Sequence, residues 1–191
     1  DLASTITDPQ AFPFAAGDLG LTTGAFSGSV GATWEVSTGL VVHANASSGF
    51  RAPNVDDIAK IFDSAPGVLI IPNANLAPEI NYTVEGGFTW EPFRRVGLTV
   101  NGYRTWAVDA MERRPTTYQG QADIYGVNSS LEARIVLDQF DLRATVSWNY
   151  GEDVTNGIPL RHIPPAFGNV NLRWHHDVFY ASAGLWWAAA K

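Results

Sequence analysis

The chain has 191 residues, 46% of them hydrophobic, with a formal charge of −7 and a mean hydropathy of −0.04. It contains no cysteine, which excludes a disulfide framework, a thiolate nucleophile and a cysteine metal site. The acidic balance, without any basic run, argues against a nucleic-acid partner, and no segment reaches the roughly 18 consecutive apolar residues of a transmembrane helix.

Residues 1–25 read as loop, with Pro9, Pro13 and several glycines and no sustained period. No leader sequence is visible at Asp1, so a secreted chain is expected to have its start further upstream. The first strand is expected at Phe26 to Val36, with Phe26, Val30, Ala32, Trp34 and Val36 on one face and Ser27, Ser29, Thr33 and Glu35 on the other. A period of two places successive side chains on opposite sides of a pleat. Ser37-Thr38-Gly39 reads as a tight hairpin turn into a second strand, Leu40 to Ser47. Residues 49–78 read as a long loop.

The third strand alternates Ile80, Tyr82, Val84, Phe88 and Trp90 against Asn81, Thr83, Glu85 and Thr89. Glu91 to Arg95 turns the chain into a fourth strand, Val96 to about Val108, where a change of alternation near Gly102 to Arg104 suggests a β-bulge. Residues 109–122 read as a second long loop. The fifth strand carries Tyr125, Val127, Leu131, Ala133 and Ile135 on one face, and Asp138-Gln139 joins it to the sixth. That sixth strand, Phe140 to Tyr150, is the cleanest, with six apolar residues on one face and five polar ones on the other. A loop over residues 151–159, a seventh strand at Arg161 to Trp174, a turn at His175-His176-Asp177 and an eighth strand from Val178 complete the chain.

Short and long connections therefore alternate along the chain. Outer-membrane barrels show this asymmetry, with brief periplasmic turns and longer extracellular loops. The apolar faces are small or aliphatic in the middle and aromatic near their ends. Trp34, Trp90, Phe93, Phe140 and Phe179 would form the periplasmic girdle, and Trp106, Trp148, Tyr150 and Trp187 the extracellular one. A soluble up-and-down barrel or sandwich gives a strand no reason to carry aromatics at both ends. The opposite face is mostly Ser, Thr and Asn, which suits a wide, wet or plugged lumen rather than a narrow, side-chain-filled barrel. An open sheet would leave bare edges in lipid. The fold class is thus all-β, a transmembrane antiparallel up-and-down barrel, of which about eight strands here form an arc.

Four short segments carry a family resemblance. Ser48-Gly49-Phe50-Arg51-Ala52-Pro53-Asn54-Val55-Asp56-Asp57 resembles the GFRAPN segment of TonB-dependent outer-membrane receptors. Pro72-Asn73-Ala74-Asn75-Leu76-Ala77-Pro78-Glu79 is similar to their NPNLKPE box, Asp123 to Val127 to their YGVE strand start, and Pro159 to Pro165 to their PLRHxPP segment. The resemblance implies a barrel of about twenty-two strands around an N-terminal plug domain, with residues 1–191 as a partial barrel domain holding roughly the twelfth to nineteenth strands. It also implies a multi-pass protein of a Gram-negative outer membrane. The expected function is energy-coupled uptake of a scarce ligand such as a siderophore, a glycan or cobalamin. The alternative is a passive outer-membrane channel or a structural barrel subunit of a multi-protein complex.

The partners so implied are lipid and lipopolysaccharide, the plug and remaining strands of the same receptor, TonB through the N-terminal region, and partner subunits at the extracellular loops. Candidate ligand contacts are Arg51, Tyr82, Arg113, Arg114 and Tyr118, because guanidinium and aromatic groups suit a polar ligand with flat or anionic parts. Arg51, close to Asp56 and Asp57, also suits ordering a loop base by ion pairing, the commoner role of such an arginine. Haem-uptake members carry a histidine between the two boxes; no histidine lies between Asn54 and Pro72 here, and Ala74 replaces the usual proline.

No catalytic constellation is found. No serine lies in a G-x-S-x-G elbow, and no Gly-rich phosphate loop opens a helix. His43 reads as an inward polar wall residue. His175 and His176 are too few for a metal site, and Asp56-Asp57 and Glu152-Asp153, read as exposed loop pairs, fall short of the six to eight oxygens of calcium. The expectation is a protein that is not an enzyme, with no cofactor and no metal.

Overall fold

A computed structural model describes residues 2–4, 19–54, 62–65, 68–70, 76–113, 117–135 and 139–190. The strands are β1 (Leu2–Ser4), β2 (Leu19–Leu21), β3 (Gly28–Ser37), β4 (Leu40–Arg51), β5 (Phe62–Ala65), β6 (Val68–Ile70), β7 (Glu79–Phe93), β8 (Val96–Arg113), β9 (Thr117–Ile135), β10 (Phe140–Asp153), β11 (Ile158–Pro159), β12 (Phe167–His176) and β13 (Phe179–Ala188). Eight of them form one antiparallel sheet in the order β13-β12-β10-β9-β8-β7-β4-β3, with β11 added beside β10. Spatial order follows chain order throughout, as in an up-and-down barrel wall.

The eight wall strands are those read from the alternation, with shifted ends. Strand β12 begins at Phe167, six residues after the expected Arg161, because Pro164 and Pro165 supply no amide to a ladder. Two short antiparallel ribbons, β1 with β2 and β5 with β6, occur within the stretches read as loop at 1–25 and 49–78. The largest correction concerns 109–122. Strands β8 and β9 run through most of it, pairing Ala110 with Gly120 and Arg113 with Thr117. The bulge is also displaced. Pairing is regular from Val96 through Ala107, so nothing interrupts Gly102 to Arg104; the register shifts between Ala107 and Ala110, where Asp109 has φ 56°. One extra residue on β8 reverses the parity of its side chains beyond that point.

The short turns lie where expected. Thr38-Gly39 joins β3 to β4, and Gly39 at φ 79° takes a left-handed conformation that side chains resist. Glu91 then donates its amide to the Gly39 carbonyl at 2.6 Å, tying this turn to the end of β7. Arg94-Arg95 joins β7 to β8, and Asp177-Val178 joins β12 to β13. The Asp138-Gln139 turn falls largely outside the described residues.

Cross-strand partners share a face. The register joins Val42, Phe88 and Val100 in one row, and Tyr82 with Trp106 in a higher one. Among the described residues the buried apolar side chains are few: Leu76, Ala107, Ala122 and Pro53. The apolar sheet face itself is open, with Trp34 67%, Phe179 68% and Leu185 65% exposed. A sandwich would cover this face with a second sheet. An uncovered apolar face bordered by aromatics is instead the lipid-facing side of a membrane wall.

Candidate functional site

The end of the wall that carries the long connections is built around strand ends that are held together by polar contacts. Arg51 closes β4 opposite Glu79, the first residue of β7, with Nη1 at 3.8 Å from the carboxylate. Asn81 donates to the same carboxylate at 3.1 Å. Arg51 is therefore tied at the loop base to Glu79; Asp56 and Asp57, the partners suggested by sequence proximity, lie outside the described residues. Pro53 and Leu76, which flank this loop, are buried. The NPNLKPE-like segment thus places its leucine under the rim and its glutamate at the strand start.

A second rim contact joins the β8–β9 hairpin to the segment after β10. Val154 donates to the Gln121 carbonyl, and the Gln121 amide donates to Thr155 Oγ1, both at 2.8 Å. Asp153 is 4% exposed and accepts from the Asn156 amide at 3.1 Å and from Asn156 Nδ2 at 2.7 Å. The reading of Glu152-Asp153 as an exposed loop pair is corrected here. Both residues end β10, opposite Asp123 and Ala122, and Asp153 is spent on capping its own turn. Among the described residues no group of three or more His, Asp or Glu could hold a metal ion.

The candidate ligand contacts do not converge on one point. Arg113 pairs with Thr117 and Tyr118 with Glu112, which puts both near the tip of the long hairpin. Arg114 lies outside the described residues. Arg51 stands at the neighbouring rim. Tyr82 is opposite Trp106 and Ser48 and 48% exposed on the lipid-facing side, within the aromatic row.

Among the described residues one charged pair lies on the outward face. Arg104 Nε and Nη2 donate to the two Asp123 oxygens at 3.0 and 2.6 Å, and the guanidinium lies 5.0 Å from the Trp106 ring centroid. Tyr125 packs beside it against Trp148 and Tyr150 at 5.8 and 5.4 Å. Paired and wrapped in aromatics, the arginine sits where rings bridge water and lipid. At the short-turn end Trp174, an aromatic that the sequence reading omitted, packs edge-on against His176.

The inward face is a ladder of polar pairs. Thr83 meets Thr105 at 2.8 Å, Thr89 meets Thr99 at 3.2 Å, Asn45 donates to Glu85 at 3.0 Å, and Tyr103 donates to Asn149 at 2.8 Å. His43 joins this wall opposite Thr33 and Gly87. Near the short turns the wall becomes densely charged. A cavity of about 530 Å³ is lined there by Arg94, Arg95, Arg134, Arg143 and Arg173, and by Glu91, Glu132 and Asp141. Arg134 pairs with Asp141 at 3.1 Å, and Arg143 with Glu132 at 2.8 Å. His175 lies 3.7 Å from Asp141. The sequence reading missed this cluster. Its members on β9, β10 and β12 all have inward parity, but only the cross-strand register brings them together.

The sequence matches the family described as TonB dependent receptor-like, beta-barrel, over residues 5–190. No curated protein sequence gives a significant match. Among solved structures the chain is similar to the copper transporter OprC, with a TM-score of 0.70 at 14% identity over 83% of this chain and 26% of that one. It is also similar to the siderophore receptor PirA from Acinetobacter baumannii, at 0.67 and 15% over 86% of this chain and 27% of that one. A third likeness is to the ferric-catecholate import receptor Fiu from Escherichia coli K12, at 0.62 and 17% over 82% of this chain and 23% of that one. The chain thus spans about a quarter of the length of these proteins. Members of the matched family are receptors and transporters of the Gram-negative outer membrane that interact with TonB and contain a plug. With the eight-stranded lipid-facing wall and its polar inner ladder, the match over 5–190 shows that the chain belongs to the TonB-dependent receptor β-barrel family.

Proposed function

We propose that residues 1–191 form part of the wall of an outer-membrane receptor that imports a scarce ligand, with energy delivered through TonB. The observation that carries this reading is the two-faced sheet: an uncovered apolar face bordered by aromatics, backed by a ladder of Ser, Thr, Asn and charged groups. A polar inner wall needs a wet or occupied lumen, and ligand passage needs the same. The ligand classes are siderophores, glycans, cobalamin and similar nutrients. That similar structures are a copper transporter and a siderophore receptor favours a metal complex among them. Ligand capture is assigned to the extracellular rim. Arg113 and Tyr118 near the hairpin tip and Arg51 at the loop base, together with Arg114 next to Arg113 in sequence, would offer cationic and flat groups to a polar, partly anionic ligand. Tyr82, on the outward face beside Trp106, would support the rim in the membrane interface.

The test is uptake of labelled ferric siderophores and copper by cells carrying the full-length receptor, with and without TonB. Uptake that disappears without TonB supports the reading. Uptake indifferent to TonB makes the protein a passive channel, and no uptake of any ligand class points to a structural subunit.

A further inference from the structure

Trp186 and Trp187 adjoin in β13 and therefore point to opposite faces of the sheet. Trp187 lies opposite Gly168 on the lipid-facing side, and Trp186 lies opposite Asn169 on the inner one. The inner row that opens with the Thr89–Thr99 pair runs on through Ser130, Thr145 and Asn169 and ends in Trp186. In the next row toward the short turns, Glu132, Arg143, Asn171 and Gly184 follow one another across the strands. A Cβ on Gly184 would sit 2.9 Å from Trp186 Cη2 and 3.1 Å from Asn171 Nδ2, so the indole reaches across the bare glycine toward the Asn171 amide. The tryptophan is nonetheless 72% exposed.

A large ring left open on a wall of hydroxyl, amide and charged groups calls for a partner, and its neighbours define the partner's chemistry. The side chains of Asn169 and Asn171 form no hydrogen bond with any described residue. Each amide offers two donors and an acceptor. Arg143, held by Glu132 at 2.8 Å, adds a fixed fork one strand away. A neutral hydroxyl both donates and accepts, as an amide does, whereas an ionised oxygen only accepts. The indole face is the negative side of its quadrupole, so it attracts the weakly positive C–H groups of a saturated ring and repels an anionic aromatic one. A flat ring with a few convergent polar groups beside it is the common composition of a small-molecule site. We propose that Trp186, with Asn169 and Asn171, binds a pyranose ring on the inner wall. The C–H face of the sugar lies on the indole, and its hydroxyls meet the two amides. A free oligosaccharide and a metal complex that bears a sugar present the same ring. The inference rests on the receptor reading above, and adds to it the ligand chemistry and the place of one site inside the lumen.

The test is saturation-transfer NMR on the full-length receptor, purified in an amine-oxide detergent so that no detergent sugar competes. The probes are maltotetraose, cellotetraose and chitotetraose, and a gallium catecholate with and without an attached glucose, gallium standing in for paramagnetic iron. The expected result is transfer to the ring C–H protons of at least one sugar-bearing probe. Trp186→Leu and Asn171→Ala should each raise its Kd by about tenfold or more, and Trp186→Phe, which keeps a flat ring, by less. Trp187→Phe, on the opposite face, should leave binding unchanged. Binding of a free oligosaccharide assigns a glycan, and binding of the glucosylated catecholate alone assigns a sugar-bearing metal complex; either upholds the site. Three outcomes overturn the proposal: no sugar-bearing probe binds, binding is indifferent to Trp186→Leu, or the sugar-free catecholate loses as much affinity as the glucosylated one. The first is the result for a ring covered by protein inside the lumen. Unchanged heat-modifiable mobility in electrophoresis verifies that the variants fold, and Asn171→Ala, which leaves the ring in place, carries the test if Trp186→Leu does not. A passive channel can bind a sugar at Trp186 and a TonB-dependent importer can lack the site, so this assay and the uptake assay fail separately.

Discussion

At the scale of single residues, the lipid-facing side tolerates Arg104 because Asp123 takes both of its donors and Trp106 lies beneath it. Removing one member of such a pair is worse than removing both, since the survivor is left charged beside lipid. Asp123→Asn should therefore lower the urea midpoint of the full-length receptor in micelles, and Arg104→Met with Asp123→Leu should recover most of the loss. Equal losses in both variants would show that the pair is merely solvated. Gly87 supplies a second test. A Cβ there would overlap the Val100 carbonyl oxygen and the Asn101 side chain on the neighbouring strand, whereas a Cβ at Gly49 meets nothing within 4 Å. Gly87→Ala should cost about 1–3 kcal/mol of stability, as overpacking does in rigid interiors. Gly49→Ala should be nearly silent in the same unfolding experiment.

At the scale of elements, the β8–β9 hairpin divides at the bulge. Below Ala107 and Ala122 it is wall; above them it projects as a paired arm that ends at Arg113 and Thr117. Replacing residues 110–120 by a short Gly-Ser turn should leave the wall folded, by heat-modifiable mobility. Ligand binding, read by calorimetry, should be lost if the tip captures ligand. Substituting Arg113 and Arg114 together by alanine should weaken binding by roughly tenfold or more, the scale on which truncated arginine contacts act at binding surfaces. Asp153 anchors the neighbouring turn from within. Asp153→Ala leaves the Asn156 amide and side chain without their acceptor, at a cost of about 1–3 kcal/mol. The expected sign is faster hydrogen exchange at Gly157, whose amide donates to the Asp153 carbonyl at 2.8 Å.

At the scale of the whole molecule, the sheet is an arc. Strands β3 and β13 each have one neighbour in it, and both are exposed along their full length. Open strand edges pair with whatever reaches them, and lipid offers no substitute partner. Residues 1–191 expressed alone should therefore form mixed oligomers or aggregates in detergent, read as a polydisperse mass by light scattering after gel filtration. A monodisperse monomer would mean that β3 and β13 close on each other into a small barrel. The similar structures are about three times as long, which agrees with an arc of a wider wall.

The amino-acid sequence by itself determined the eight alternating wall strands apart from the continuation of β8 and β9 through 109–122, which face is apolar, and where the short turns fall. Those properties are local: a period of two over ten residues, a glycine in a two-residue turn, and aromatics at strand ends are each visible within one segment. The family was legible for the same reason, through short segments at strand boundaries around Arg51, Leu76 and Tyr125. What the tertiary structure alone decided is what meets across strands. The alternation of β8 breaks at Asp109, so the continuation of the hairpin beyond it read as loop until pairing with β9 restored the register. Arg51 meets Glu79, 28 positions further along the chain, because Glu79 is its ladder partner. Arg94, Arg134, Arg143 and Arg173 are scattered over 80 positions of chain and line one cavity only through the pairings of β7 to β12. Side-chain direction follows from the local backbone, but cross-strand neighbours follow from register, and register is a property of two segments together.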